Sequence, residues 1–342
     1  MGHQELKASR IFFVDGYRTD DYTENGTLEE PYKTIQGGYD AAAALNPTQA
    51  NPAAVVVFPG EYGENLIVDN DNVAVIAIGG QQVTNIRPSS GPAVIITNAT
   101  RASVATFLAN GGHADPDAHY SDLAAGANLP KNVQFRDITF GKSGGSGYDL
   151  MALGVGDGTE FLGSELNIMG CCIWNETYLR LANYISMQGA TWCANKIVAY
   201  NIAGCWCNDS QITGYEGDYD SGDDEPSDNG NYGLCGGKTL NNGSIELDGE
   251  ARAGAGDPNG GLVLFQIAGN IDLNETSDIS IAMSGIGGNI DAEAGASFDL
   301  KGCHVQGNIA MANGAGTCQM DGGHYMGVLT DPGGKFTRNA GA

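Results

Sequence analysis

The sequence predicts an all-β chain, a right-handed parallel β-helix (solenoid) with an N-terminal capping helix. Three observations lead there. Short β-branched runs are separated by Gly, Asn and Asp, the pattern of strands and turns. Glycine supplies 52 of the 342 residues, about twice the usual ~7%. Apolar sites also recur every 17 to 20 residues. That period is too short for helical-hairpin solenoids of about 33–47 residues or propeller blades of about 40. It suits one rung of short strands joined by bends. Stacked rungs place like side chains over one another about 4.8 Å apart and bury a continuous apolar column.

Residues 1–50 are expected to hold an N-terminal strand and the capping helix, and residues 51–342 the β-helix. The open end of a solenoid exposes backbone groups and core side chains that need a cover. The segment Pro31-Tyr32-Lys33-Thr34-Ile35-Gln36-Gly37-Gly38-Tyr39-Asp40, then Ala41 to Leu45, reads as that cover. Proline suits a first helical turn, alanines favour helix, and Ile35, Tyr39 and Ala42 or Ala43 share one face. Pro47 ends it.

The repeats fall into three blocks. Val55-Val56-Val57 is echoed by Val75-Ile76-Ala77 and then Val94-Ile95-Ile96, while Leu66 is echoed by Ile86. Ile168, Ile185 and Ile202 recur every 17 residues. Gly-Asn-Ile occurs at 269–271, 288–290 and 307–309, and His304-Val305-Gln306-Gly307 is echoed by His324-Tyr325-Met326-Gly327. Two segments break the period and are expected to leave the helix as loops, near 109–130 and 214–243. No clean linker interrupts the chain, so a single domain with two excursions is expected.

Several motifs carry a family resemblance. Ile11-Phe12-Phe13-Val14-Asp15, then Asn25-Gly26-Thr27, then Pro31-Tyr32-Lys33-Thr34-Ile35 resemble the N-terminal module of pectin-lyase-like β-helix proteins. Val55-Val56-Val57-Phe58-Pro59-Gly60-Glu61-Tyr62 is similar to the segment by which they enter the first rung, and Lys131 to Phe140 to their later rungs. The likeness covers about residues 11–140 in motif and the rest in periodicity. The superfamily includes lyases, hydrolases, epimerases and many phage tail-spike and capsid-surface proteins. The resemblance therefore speaks to fold more than to activity.

Charge narrows the partners. With 41 Asp and Glu against 16 Lys and Arg, the net charge is −25. Such a surface repels phosphate backbones and anionic lipids, so neither nucleic acid nor a membrane is an expected partner. No apolar run approaches the ~20 residues that span a bilayer. The opening MGHQELKASR has no apolar core of the kind a secretory signal needs. The eight cysteines are too few for a disulfide scaffold, and no pair of C-x-x-C motifs points to zinc. Small buried thiols are the expected role.

Three groups of residues are candidates for chemistry. In His113-Ala-Asp115-Pro-Asp117-Ala-His119 an extended chain would turn His113, Asp115, Asp117 and His119 to one side, a ligand set suited to a transition metal. Pro116 and the flanking glycines argue for a solvated loop instead. Asp218, Asp220, Asp223, Asp224 and Glu225 offer closely spaced oxygens suited to Ca²⁺, although Gly222 does not fall where an EF-hand loop needs it. A solvated acidic loop is the alternative. Trp174, Trp192 and Trp206, accompanied by Tyr178, Tyr184 and Tyr200, could stack on a glycan or pack in the core and between subunits. No G-x-S-x-G, P-loop or H-E-x-x-H is present, and no catalytic residue is singled out.

The expected function is that of a structural protein of a phage particle, exposed on the virion surface as a capsid decoration or tail-appendage protein. The homotrimer is what the resemblance implies, since β-helices of phage often pack three abreast. Expected partners are the chain's own copies and capsid or tail proteins of the same particle, with no cofactor required and Ca²⁺ as an option. The alternatives are a polysaccharide lyase or hydrolase and a non-catalytic adhesin for a surface glycan, on a virion or secreted.

Overall fold

The computed structural model describes residues 10–123, 129–154, 165–180, 184–200, 205–207, 210–219, 234–235, 238–239, 245–249, 262–263, 265–274 and 278–339. These residues are mostly strand, the strands pair in parallel, and no sheet closes into a barrel. The chain falls into two compact units. The first holds Met1–Gly156, Leu162–Tyr178 and Gln188–Ala194; the second holds Asp157–Phe161, Leu179–Met187 and Asn195–Ala342.

In the first unit each repeat supplies three strands, and each strand pairs with its counterpart in the next repeat. Ile11–Val14, Ala53–Val57, Val73–Ala77, Val133–Arg136 and Glu165–Met169 form one stack. Gly60–Tyr62, Thr84–Ile86, Thr139–Phe140 and Cys172–Ile173 form a second, reaching Trp192 and Cys193. Leu66–Val68, Val94–Ile96 and Tyr148–Leu153 form a third. Alternation along a strand selects what faces inward. In Val73–Ala77 the first, third and fifth residues are buried. Val55, Val75, Phe135 and Ile168 therefore lie in one buried column.

This register corrects two expectations. Val94-Ile95-Ile96 does not stack on Val75-Ile76-Ala77; it pairs with Leu66-Ile67-Val68 and with Leu150-Met151-Ala152. Leu66 lies over Val94 rather than Ile86, and Ile86 pairs with Tyr62 and Phe140. The cause is that Val73–Ala77, Thr84–Ile86 and Val94–Ile96 are three strands of one repeat, so Val94 and Ile86 lie beside Val75 within it rather than one repeat on. Val75 meets its next partner, Phe135, only after residues 101–123 have made their own excursion. Ile168 stacks on Phe135 and Ile185 pairs with Cys205, while Ile202 lies outside the described residues.

The capping helix forms as expected, over Ile35–Ala43, with Ile35, Gly38, Tyr39 and Ala42 buried. Thr34 Oγ1 accepts the N–H of Gly37, and the Glu64 carboxylate accepts those of Ile35 and Gln36 at 2.7 and 2.8 Å. These side chains satisfy donors that a helix start leaves unpaired. Gln36 then acts as a substitute strand: its amide oxygen accepts the Ile67 N–H at 2.8 Å and its amide nitrogen donates to the Ile67 carbonyl at 3.1 Å.

A helix leads into the first expected excursion, 109–130, and short helical turns lie within it. Arg101–Ala109 is an α-helix, with the Ser103 N–H donating to Thr100 Oγ1 and Val104 and Phe107 buried. Pro116–His119 adds a short turn of helix and Tyr120–Asp122 a 3₁₀ turn. Of the second expected excursion, 214–243, residues 214–219 belong to the strand Gln211–Tyr219. Leu234–Cys235 and Lys238–Thr239 are strands as well, and residues 220–233 lie outside the described residues.

In the second unit the 19-residue repeat is direct. Ile271, Ile290 and Ile309 are register partners and fully buried, and Leu329 follows them. The accompanying asparagines form a ladder: Asn270 Oδ1 accepts the Asn289 N–H and Asn289 Oδ1 accepts the Asn308 N–H, both at 2.9 Å. Asn308 Oδ1 then accepts the Val328 N–H at 2.8 Å. All six cysteines with described side chains, Cys171, Cys172, Cys193, Cys207, Cys303 and Cys318, are buried free thiols. Ile290→Ala should cost about 2–5 kcal/mol of apparent unfolding free energy in urea, the penalty for a cavity in a packed column. Met326→Ala, at a residue 69% exposed, should stay within about 0.5 kcal/mol in the same titration.

Candidate functional site

The structure separates the aromatic residues. Trp174 and Trp192, both half-buried in the first unit, meet edge-on with ring centroids 4.9 Å apart and planes at 72°. Their backbones are fixed by the stacking, Trp192 N–H to the Cys171 carbonyl at 2.9 Å and Trp174 N–H to the Phe140 carbonyl at 3.2 Å. The indole nitrogen of Trp192 is buried without a hydrogen-bond partner among the described residues. Tyr178 is fully buried, its ring edge-on to Tyr148 at 5.2 Å. Of the roles expected for it, burial leaves packing in the core, since a glycan has no face of this ring to meet. Trp206 belongs to the second unit, where its backbone pairs with Ser186 and Cys235.

Among the described residues the acidic and histidine candidates do not converge. The segment after His113 turns into a helix, which removes the alternation that would have aligned four ligands. Asp115 caps that helix by accepting the Ala118 N–H at 3.2 Å, and Asp117 lies within it. His119 Nδ1 lies 3.6 Å from Asp122 Oδ2. Asp218 lies in the strand Gln211–Tyr219 opposite Asp248, and Asp220, Asp223, Asp224 and Glu225 lie outside the described residues. Among the described residues no three His, Cys, Asp or Glu side chains gather as metal ligands.

A different site emerges in the first unit. A cavity of about 440 Å³ is lined by the turn Arg87–Gly91, by His113, by the loop Gly141–Ser146, and by Asp149 and Asn175. Stacking brings these parts together. Arg87 and Gly141 follow register partners, Ile86 and Phe140, and Arg87 Nε donates to the Gly141 carbonyl at 3.2 Å. The other end of Arg87 is held by Glu61 at 2.8 Å. Lys142 is exposed on the rim.

Asp149 is the chemical centre of the cavity. It is 6% exposed, and Asn175 donates to it three times: from its backbone N–H to Oδ2 at 2.8 Å, and from Nδ2 to both oxygens at 2.9 Å. Gly141 makes room for it. A Cβ there would fall 1.9 Å from Oδ2, and the φ of +73° is one that side-chain-bearing residues rarely adopt. Burial raises the Asp149 pKa above the ordinary carboxylate range, against the opposing pull of the Asn175 hydrogen bonds. Burial also lowers the pKa of His113. Asp149 and His113 thus place a carboxyl and an imidazole on the wall of one cavity, group types that serve general acid–base chemistry. Lys142, Ser89, Ser90 and Ser146 add a cation and hydroxyls suited to a polar or anionic group.

The sequence held one sign of this site, four glycines within Gly141-Lys142-Ser143-Gly144-Gly145-Ser146-Gly147 directly after a strand. Comparison with protein-family models, curated proteins and solved structures finds no match. Among the described residues no helix is long and apolar enough to cross a membrane.

The raised carboxyl sets a pH dependence. Between the ordinary carboxylate pKa and that of Asp149, the folded chain holds a proton that the unfolded chain has released. Stability is therefore full below that interval and falls as pH rises through it. Asp149→Asn should flatten this part of the profile. Melting temperatures of both proteins at stepped pH test it, and their difference removes the contribution of Glu64, whose carboxyl is also raised by burial.

Proposed function

We propose that the chain is a right-handed parallel β-helix and serves as a structural protein on the surface of a phage particle, a capsid decoration or tail-appendage protein working as a homotrimer. The observation that carries this reading is the three-strand repeat, paired in parallel with its successor in each unit. Each such repeat buries its apolar residues against the next and spends its backbone hydrogen bonds on it, which stiffens each unit along its own stack. A stiff stack suits exposure to shear and side-by-side packing with its own copies. The net charge of −25 keeps such an assembly soluble and leaves basic surfaces of capsid or tail proteins as its natural counterparts. The likeness of residues 11–140 to pectin-lyase-like β-helices points the same way.

Light scattering on the eluting protein in physiological salt should return three times the chain mass of 35.5 kDa. Cryo-electron microscopy of purified virions should place it outside the shell or on the tail. A clean monomer, or genomic neighbours without capsid or portal genes, would overturn the assignment.

A second reading is favoured by the cavity around Asp149: binding or cleavage of a polysaccharide. Acidic polysaccharides incubated with the protein, with and without Ca²⁺, should then yield unsaturated or reducing ends. Asp149→Asn and Lys142→Ala should each abolish that yield. Silence across a broad panel, in cleavage and in binding, removes this reading.

A further inference from the structure

The duplicated histidine motif has a use that the stacking of repeats does not require. His304 and His324 are register partners on adjacent strands of the second unit, Gly285 is the partner of His304 one repeat earlier, and Gln266 precedes Gly285. The inward neighbours on these strands, Ile267, Ile286 and Val305, are buried, and Tyr325 continues their row. The two imidazoles are therefore on the outward row, His304 half-buried and His324 exposed. Their rings meet nearly at right angles with centroids 3.9 Å apart, and the two Nδ1 atoms are 3.4 Å apart.

We infer that His304 and His324 form a two-imidazole binding site for a borderline divalent transition metal of the Zn²⁺, Cu²⁺ and Ni²⁺ class. Imidazole nitrogen is a preferred donor for these ions. With metal–nitrogen bonds of about 2.0–2.1 Å, two ligands of a tetrahedral site stand about 3.3–3.4 Å apart. The Nδ1 pair already has that separation, while the ring centroids, 3.9 Å apart, must swing to roughly 5 Å for both lone pairs to meet one ion, a rotation of two outward side chains. The Nδ1 atoms are within hydrogen-bond distance of each other, and that bond requires one ring to carry its proton on Nδ1. Metal binding asks only that this ring move its proton to Nε2, leaving both Nδ1 lone pairs for the ion and no net change in proton count.

Further donors and open space adjoin the pair. His304 lines a groove of about 520 Å³ with Gln266, Gln306 and Gly285. The missing side chain at Gly285 matters here. A Cβ at that position would lie 2.5 Å from Gln266 Oε1, so the Gln266 amide fills the space one repeat below His304. Water from the groove can complete the coordination, and the chain's strong negative charge raises the local cation concentration.

The test uses the full chain, stripped of metal with EDTA and titrated calorimetrically with ZnCl₂, NiCl₂ and CuCl₂ in separate runs. One equivalent should bind, and His304→Ala or His324→Ala should each weaken it by about tenfold or more. His113→Ala and His119→Ala should leave it unchanged. The electron paramagnetic resonance spectrum of the Cu²⁺-loaded protein should show two equatorial nitrogens. Circular dichroism checks that each variant stays folded, as expected for outward side chains. The inference fails if no metal binds, if the double variant binds as well as the parent, if binding follows His113 or His119, or if the copper spectrum shows fewer than two nitrogens.

Discussion

Parallel pairing of each strand with its counterpart one repeat later is the constraint from which the other features follow. Pairing of this kind is non-local: it joins residues some 19 to 20 positions apart in regular repeats and about 60 apart across the helical insertion. It holds only where both strands present inward side chains in the same phase, since a slip of one residue would turn every core residue outward. The columns Val55–Val75–Phe135 and Ile271–Ile290–Ile309 are the physical form of that phase lock. Backbone hydrogen bonds fix the spacing and apolar contact fixes the register. Neither suffices alone.

Such a stack leaves two places for variation, its bends and its ends. The cavity around Asp149 arises at bends, where Arg87 and Gly141 follow paired residues and the loop Gly141–Ser146 arches over a buried carboxylate. The N-terminal end is closed by chemistry rather than bulk. Gln36 offers Ile67 the donor and acceptor that a neighbouring strand would have offered, and Glu64 pairs with the first N–H groups of the covering helix. An edge satisfied in this way no longer invites another strand.

Some of this was legible in the sequence because certain residues keep constant neighbours. Gly-Asn-Ile keeps its spacing through three copies, and the structure pairs Ile271 with Ile290 and Ile290 with Ile309. The capping helix was readable from Ile35, Tyr39 and Ala42 on one face. Val94-Ile95-Ile96 was misplaced for an equally physical reason. Each repeat carries three strands of similar composition, so a spacing near 20 does not reveal which of the three is being echoed. Tyr178 stayed open between glycan contact and core because its strand buries four residues in succession and breaks the alternation that marks an outward position. The cavity escaped because Arg87, His113, Asp149 and Asn175 are distant in the chain and meet only through the stacking.

The asparagine ladder of the second unit has a direction. Each amide oxygen receives the N–H of the residue one repeat further on, so every link is made upward by the same atom pair. A 19-residue block inserted between two such links would find below it the acceptor it needs and would offer the same acceptor above. Length in this part of the molecule is thus a modular quantity. Evolution or an engineer can alter it in whole steps, by duplication or excision, without touching the junctions on either side.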